Sequence, residues 1–365
     1  MKMSVIRPGL VRLLGLVAAA VLLLSGGAVL TQPNPAMTAH FIDVGQAHAT
    51  LLEFSCGAML IDAGTQDDAH ETALLGYLDA FFARRTDLNR TLKSILITHN
   101  HLDHTRSLQR LVETFTVERY IDNGFTTGSG RFGPNWLRGE VKAGRRKIVV
   151  RDIPDTAVEA VADKRGLTDS DIDPLGCPDR DPGVRILEGR FDENPGWPEG
   201  EFENQNNHSV ITRIDYGTAS FLFMGDLEEA AIELLVDYYG DQPGGMLDAD
   251  VLQVGHHGSQ NATTAELLDA VTPRVALIPV GEWTFGQSGG TFTTFAFGHP
   301  RQTTVNLLAQ HMTRRRTPSK SVRVAEKARQ FRNQTVTKAI YATGWDGTVR
   351  VVARASNDIT VYRER

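Results

Sequence analysis

The most informative segment of this chain is Lys93-Ser-Ile-Leu-Ile-Thr-His99-Asn-His101-Leu-Asp103-His104. Its apolar first half has the composition of a buried strand, and potential metal ligands follow at residues 99, 101, 103 and 104. The first three of these alternate as side chains do on an extended chain, whereas residues 103–115 carry apolar side chains at helical spacing. A strand end followed by a helix start holds ligands rigidly, and this spacing is the one that a two-metal centre needs.

This motif resembles that of the metallo-β-lactamase superfamily, whose members are mostly dinuclear metallohydrolases. The segments at residues 40–46 (His-Phe-Ile-Asp-Val-Gly-Gln) and 60–64 (Leu-Ile-Asp-Ala-Gly) resemble, more narrowly, the hydrolase-like domain of ComEC-type competence proteins. Further matches to that branch are Asn206-Asn-His-Ser209, Gly225-Asp-Leu-Glu228, His256-His-Gly-Ser259 and Gly298-His-Pro300. The resemblance covers residues 39–352. It implies an α/β fold, namely an αββα sandwich of two mixed β-sheets flanked by helices, with the metals at one edge of the sheets.

The resemblance also implies a ligand set that is drawn from segments far apart in the chain. The predicted metal ligands are His99, His101, Asp103, His104, Asp226 and His256. In the pattern of the superfamily the first two hold one ion, Asp103 and His104 begin the set of the second ion, and Asp226 bridges the two. Zinc suits this histidine-rich set, and manganese is the alternative where oxygen ligands dominate. Two divalent ions would lower the pKa of a shared water toward neutrality and so activate it for attack.

The predicted catalytic residues are Asp103, His257 and His299. Asp103 would orient the attacking water, and His257 would bind the scissile group or donate a proton. The reverse assignment of His256 and His257 stays open. His299 is either a ligand or an acid, the other interpretation being a histidine that precedes a helix-initiating proline.

The chain departs from the competence pattern in several places. Ala47-His48 stands where those proteins have Gly-Asp, and Thr105-Arg106-Ser107 follows the Asp-His pair where the family has Gly-Gly. Arg106 either meets a substrate anion or is solvated. Asp62 either orients ligand side chains or forms a turn. The third ligand of one metal is left open among three neighbours, Asn206, Asn207 and His208.

The N-terminus has the order of a secretory signal peptide. Basic residues up to Arg12 precede the apolar run Leu13–Leu24, and small residues follow at 25–28. Residues 1–30 are therefore predicted to be a signal peptide, or alternatively an uncleaved membrane anchor within residues 10–30. Residues 31–37 are a predicted linker, and residues 38–365 a domain exported to the periplasm or secreted. In an oxidising compartment Cys56 and Cys177 can form a disulfide, but the sequence does not show whether they meet.

Composition limits the remaining possibilities. With 365 residues, of which 41% are hydrophobic, the chain can bury a sizeable core. The segment at about 152–207 has little apolar periodicity, so we expect an irregular insertion and not a second domain. The formal net charge of -6 argues against a polyanion-binding surface over the whole molecule. A basic run at residues 314–332 is the exception, and it is either a solvated face or a cradle for a phosphodiester backbone.

These observations lead to one leading hypothesis and two alternatives. The resemblance and the basic run predict an exported, dinuclear-metal-dependent phosphodiesterase or nuclease that acts on DNA, with single-stranded DNA as the candidate partner. The first alternative is a hydrolase of a small ester, lactone or lactam. The second is a non-catalytic metal-binding or interaction module, since one fold hosts many chemistries.

Overall fold

The computed structural model of the protein describes residues 36–240, 244–356 and 358–365. The predicted signal peptide or anchor, residues 1–30, lies outside the described residues. Of the predicted linker at residues 31–37, the described part is Ala36 and Met37, and both already belong to the first strand. Within the described ranges, no helix combines the length and the apolar character that crossing a membrane requires.

The strands of the first half are β1 Ala36–Phe41, β2 Thr50–Glu53, β3 Ala58–Ile61, β4 Thr91–Leu92, β5 Ser94–Leu96, β6 Thr116–Val117, β7 Arg119–Asp122 and β8 Val149–Asp152. Those of the second half are β9 Gly183–Glu188, β10 Ile211–Tyr216, β11 Ala219–Phe223, β12 Val251–Gln253, β13 Val275–Ile278, β14 Arg315–Lys327, β15 Gln330–Lys338, β16 Ile340–Ala342, β17 Val349–Arg354 and β18 Ile359–Arg363. The helices are α1 Asp68–Arg84, α2 Leu102–Thr105, α3 Leu108–Thr114, α4 Phe132–Lys142, α5 Asp155–Glu159, α6 Glu229–Tyr239, α7 Ala265–Val271, α8 Thr294–Phe297, α9 Gln302–His311 and α10 Thr343–Asp346.

Two mixed sheets form the centre of the domain. One has the strand order β18-β17-β1-β2-β3-β5-β7-β8, and the other has the order β16-β13-β12-β11-β10-β9. Each sheet combines antiparallel pairs, such as β1 with β2 and β10 with β11, with parallel pairs, such as β3 with β5 and β11 with β12. The predicted α/β architecture of two mixed sheets is confirmed.

Alternation along the strands explains why helices cover the outer faces of the sheets. Successive side chains of a strand point to opposite faces. Leu52 of β2 accordingly belongs to the core between the sheets, where Phe41 and Phe223 stack with ring centres 6.0 Å apart. Leu51 instead belongs to the cluster that includes buried residues of α1 and α3. Buried residues of α6, α7 and α9 pack against the six-stranded sheet, which completes the αββα sandwich.

The segment at 152–207 is less irregular than the sequence indicates. It contributes α5 and also β9, which pairs antiparallel with β10 at the edge of the six-stranded sheet. A disulfide joins Cys177 of this segment to Cys56, with Cα atoms 5.2 Å apart, and so answers the question that the sequence leaves open. The bond ties the segment to the turn between β2 and β3.

Glu188, the last residue of β9, is a buried carboxyl group that faces a cavity of about 330 Å³. Only 3% of the residue is exposed, and its Oε1 atom has no hydrogen-bond partner among the described residues. Burial, and after it the charge of nearby Asp155, raises the pKa of Glu188 well above its ordinary value. The folded protein therefore holds a proton on Glu188 more tightly than the unfolded chain does.

Glu188→Gln should stabilise the protein at pH 8. A raised carboxyl pKa makes the free energy of unfolding of the wild type fall as pH rises from about 4.3 toward the folded-state pKa. The variant lacks this fall, so its advantage should grow from pH 5 to pH 8, to about 1–3 kcal/mol. Urea denaturation at both pH values measures it, with exposed Glu199→Gln as the control. An advantage that is equal at the two pH values would contradict the assignment.

Candidate metal centre

The ends of three strands carry the predicted ligands to one pocket. β5 leads into residues 99–104, β11 into Asp226, and β12 into His256 and His257. The side chain of Gln253 holds two of these ends together, because its Oε1 accepts hydrogen bonds from the backbone N–H groups of Met224 and Gly225 at 2.8 and 2.9 Å. The resulting cavity has a volume of about 460 Å³. We call it the metal pocket. Six predicted site residues line it: His101, Asp103, Asp226, His256, His257 and His299.

The carboxylate of Asp226 is the centre of the ligand set. Its Oδ2 atom lies 3.2 Å from Nε2 of His104, 3.5 Å from Nε2 of His257 and 4.0 Å from Nε2 of His99. His101 is next to this group because its Nδ1 atom is 3.1 Å from Nε2 of His99. Two overlapping groups have potential ligand atoms within 4.8 Å of one another, His99 with His104 and Asp226, and Asp103 with His104 and His257. The structure thus brings together all four residues of the His-x-His-x-Asp-His motif with Asp226.

The orientation of His257 is fixed by its other ring nitrogen. Nδ1 lies 2.7 Å from the carbonyl oxygen of Pro279, and because a carbonyl only accepts, Nδ1 carries the proton. The Nε2 atom therefore faces Asp103 and Asp226, whose Oδ2 atoms are 3.4 and 3.5 Å away, and it is the nitrogen that the ring can offer to a metal. A metal ligand needs such a free nitrogen, with the second nitrogen held by a neighbouring acceptor.

His256 is more exposed than its neighbour His257, with 24% of its side chain exposed against 2%. Its Nε2 is 3.9 Å from Oδ2 of Asp226, about as far as that of His99, and its Nδ1 is 3.0 Å from Glu228. His256 and His257 both have left-handed backbone torsions, with φ of 47° and 54°. Such torsions cost about 1–3 kcal/mol for each residue that is not glycine. The turn directs the two imidazoles differently, so that His256 borders the pocket and His257 points to its centre.

Of the three candidates for the open third-ligand position, Asn206 is the one that lines the metal pocket. In its side chain, Nδ2 donates to Glu228 at 2.6 Å and Oδ1 has no hydrogen-bond partner among the described residues. Asn207 instead donates to Glu201. The ring of His208 lies among aromatic side chains, where Nε2 donates to the carbonyl oxygen of Phe202 at 2.8 Å. His208 therefore does not face the pocket.

Asp62 supports the ligands from behind, one of the two roles that the sequence predicts for it. Its Oδ2 accepts hydrogen bonds from Nδ1 of His104 at 2.7 Å and from Nδ1 of His48 at 2.8 Å. Its Oδ1 accepts from the backbone N–H of Thr98 at 2.7 Å. His104 consequently turns its Nε2 toward Asp226. The sequence gives no role to His48, although the Ala47-His48 departure from the competence pattern marks the position.

The loops behind the ligands are joined backbone to backbone. His48 N–H donates to the carbonyl of Asp103, Gly64 N–H to that of His48, and Ala63 N–H to that of His104. The approach is so close that a Cβ atom added to Gly64 would stand 1.5 Å from the carbonyl oxygen of Asp103. A side chain at residue 64 would therefore displace the metal motif.

Several buried nitrogen and oxygen atoms of this centre lack a hydrogen-bond partner, and they indicate whether a cation fits there. Nε2 of His104, Nε2 of His257 and Oδ1 of Asp226 have no hydrogen-bond partner among the described residues. Buried polar atoms without partners are rare in proteins. Burial, with the neighbouring histidine charges after it, lowers the pKa of His99 well below its ordinary value, so the ring is neutral, as metal ligation requires. The residues therefore fit a divalent metal ion.

His299 forms part of the pocket wall. Its ring stacks on Phe297 with centres 5.6 Å apart, and its centre is also 5.6 Å from that of His256. The side-chain amide of Gln46 contacts its Nδ1 at 3.4 Å. His299 is thus brought to the pocket, beside His256.

The fold and this ligand set define a metal-dependent hydrolase. The model of the metallo-beta-lactamase superfamily matches residues 42–282, more than half of the chain, and the chain belongs to that superfamily. Two curated relatives are the uncharacterized protein YcaI of Escherichia coli (23% identical over 285 residues, 74% of this chain and 30% of YcaI) and ComE operon protein 3 of Bacillus subtilis (29% over 111 residues, 30% of this chain and 12% of that protein). The chain thus spans less than a third of either relative. The solved metallo-beta-lactamase fold protein YhfI from Bacillus subtilis aligns with a TM-score of 0.37 and 13% identity, over 67% of this chain and 85% of YhfI.

Asp62→Asn should weaken metal binding without unfolding the protein. The variant loses the charged acceptor that orients His104, and such supporting groups typically contribute about 10–100-fold to metal affinity. Competition with a chromogenic chelator for Zn²⁺ and for Mn²⁺ measures the change. Asp68→Asn is the matched control, because the Asp68 side chain is 95% exposed. Wild-type affinity in a folded Asp62→Asn protein would contradict the supporting role.

Proposed function

We propose that this chain is an exported phosphodiesterase or nuclease that acts on DNA. One observation carries the proposal, the convergence of His99, His104 and His257 on the carboxylate of Asp226 in an open pocket. The similarity to ComE operon protein 3 over 30% of the chain agrees with the resemblance to the competence branch, from which we infer DNA as the substrate. The earlier sequence motifs of the competence branch point the same way.

The described geometry supports a specific division of the ligands. His99 and His101 would hold one ion, Asp103, His104 and His257 would hold the other, and Asp226 would contact both. His257 thereby takes the ligand position that the sequence assigns first to His256. The histidine-rich composition favours zinc, with manganese as the alternative. A bound pair of cations would supply activated water and would neutralise the charge that develops on phosphorus.

The chain's own residues would position the substrate and move protons. Asp103 lies 3.4 Å from His257 at the pocket and would accept a hydrogen bond that orients the attacking water. His256, anchored by Glu228, borders the pocket and would donate a proton to the leaving oxygen. Burial lowers the pKa of His299 well below its ordinary value, so His299 would contact the substrate as a neutral ring. Arg106 also lines the pocket, and its guanidinium donates to the exposed Asp68 carboxylate at 2.8 Å, its one ion-pair partner among the described residues, so it is available to a phosphate.

The purified protein, loaded with Zn²⁺ or Mn²⁺, should hydrolyse bis-p-nitrophenyl phosphate and degrade single-stranded DNA. His101→Ala and Asp103→Ala should each lower turnover by at least about 100-fold, the scale of a lost catalytic group. Phe132→Ala is the control, because Phe132 is 69% exposed and lies on α4. Nitrocefin and a homoserine lactone complete the panel. Turnover of either, with none of the phosphodiesters, would contradict the proposal, and no turnover of any substrate would favour the non-catalytic alternative.

Export is supported by the signal-like N-terminus and by the disulfide between Cys56 and Cys177. Disulfides persist in oxidising compartments and are rare in the cytosol. In protein taken from acid-quenched cells, a maleimide-polyethylene glycol reagent should modify neither cysteine unless the sample is first reduced. Modification of both cysteines without reduction would contradict export to an oxidising compartment.

A further inference from the structure

The loop between β13 and α9 places a group of aromatic rings beside the metal pocket. Phe292 and Phe297 line the pocket, and their ring centres are 6.0 Å apart. Phe295, in the same short helix as Phe297, stacks on Phe331 of β15 at 6.0 Å, and Phe331 in turn lies 5.8 Å from Trp283. We call these five residues the aromatic strip. Phe292 is 82% exposed, so one end of the strip presents a large apolar ring to water.

The β14–β15 hairpin contains most of the basic run, and its turn is seated against this strip. The backbone N–H of Arg329 donates to the carbonyl oxygen of Phe295 at 2.9 Å. Gly298, with φ of 72°, comes so close that a Cβ atom there would stand 2.7 Å from the carbonyl oxygen of Lys327. The turn at residues 327–330 is therefore packed next to Phe297 and His299. We call it the basic turn, because it carries Lys327 and Arg329.

Three cations of the run already have ion-pair partners, and those of the basic turn do not. Arg316 and Lys320 pair with Asp346, and Arg332 pairs with Glu326. Lys327 and Arg329 are exposed, and neither has an ion-pair partner within residues 36–240, 244–356 and 358–365. Their charge is thus available to an anionic ligand.

A cation also accompanies the far end of the aromatic strip. The Arg323 guanidinium lies over the ring of Trp283 at 4.7 Å. Rings that alternate with cations are what single-stranded nucleic acid requires, because bases stack on aromatic faces while Lys and Arg neutralise the backbone. The aromatic strip and the basic turn begin at the metal pocket and lead away from it.

We propose that the aromatic strip and the basic turn bind single-stranded nucleic acid and guide it into the metal pocket. The guiding role rests on the proposed phosphodiesterase function, whereas the binding itself does not. Bases would stack on the exposed ring of Phe292 and on the outer faces of Phe331 and Trp283. Lys327 and Arg329 would contact the phosphates that enter the pocket.

Binding of a fluorescein-labelled oligothymidylate of about 15 nucleotides, a length within the range of known single-strand sites, tests the proposal. Anisotropy is measured in EDTA, so that no cleavage occurs. Phe292→Ala should weaken binding about five- to tenfold, the lower part of the range for one lost stacking contact. Lys327→Gln with Arg329→Gln should reduce the slope of log affinity against log salt by about 1.4, since each single-strand phosphate contact contributes about 0.7.

Two control variants and one competitor make the result specific. Arg315→Gln removes an exposed cation at the opposite end of the same hairpin and should leave binding unchanged. Arg315 pairs with Lys338, so it lies roughly 26 Å from the turn, counted along β15 at about 3.3 Å per residue. Phe132→Ala removes an exposed ring elsewhere and should also have no effect. Polyglutamate, which has charge but no bases, should compete poorly.

The outcomes separate this proposal from the proposed function. Wild-type affinity in the Phe292 and basic-turn variants, equal losses in Arg315→Gln, or competition by polyglutamate as strong as by unlabelled oligonucleotide would each overturn the binding surface. Cleavage of the small substrate bis-p-nitrophenyl phosphate should stay within twofold of wild type in the Lys327→Gln and Arg329→Gln double variant, because neither residue lines the metal pocket. Strip-dependent binding without any phosphodiester cleavage would overturn the function and leave the surface standing.

Discussion

The buried carboxylate of Asp226 is the group on which the rest of the site depends. An isolated ionised carboxylate in a protein interior is costly unless it is paired or coordinates a cation. Four imidazoles, those of His99, His104, His256 and His257, have their Nε2 atoms within 4.0 Å of its Oδ2, yet its Oδ1 has no hydrogen-bond partner among the described residues. The two sheets have to meet in one register for this to happen, because the four rings come from the ends of β5 and β12 while Asp226 follows β11.

Hydrogen-bond acceptors behind the histidine rings explain how these rings keep their orientation. Asp62 is fully buried, and it accepts hydrogen bonds from two histidines and from the backbone at Thr98. With Nδ1 of His104 occupied in this way, only its Nε2 can face a metal. Pro279 has the same effect on His257 through a backbone carbonyl. Carboxylate and carbonyl acceptors behind ligating histidines are a general device for fixing the tautomer.

The parts of the site that are local in sequence could be predicted, and the parts that depend on packing could not. The His-x-His-x-Asp-His motif predicts its own geometry because alternation on a strand end is a local property. The directions of the His256 and His257 rings depend instead on left-handed torsions in a turn, and the placement of His208 away from the pocket depends on an aromatic cluster formed by residues distant in the chain. β9 escaped prediction for a similar reason, since a short edge strand in a polar segment is specified mainly by its neighbour β10.

The contact between Gly64 and the carbonyl oxygen of Asp103 has a consequence for engineering. The ligand-bearing loop is interlocked with two other loops through main-chain atoms, and it owes its shape to them as much as to its own residues. It is therefore not a portable module. Grafting residues 99–104 onto another sheet would transfer the donor atoms but not their arrangement. The recipient would also need a glycine equivalent to Gly64 and the two neighbouring loops that hold the segment in place.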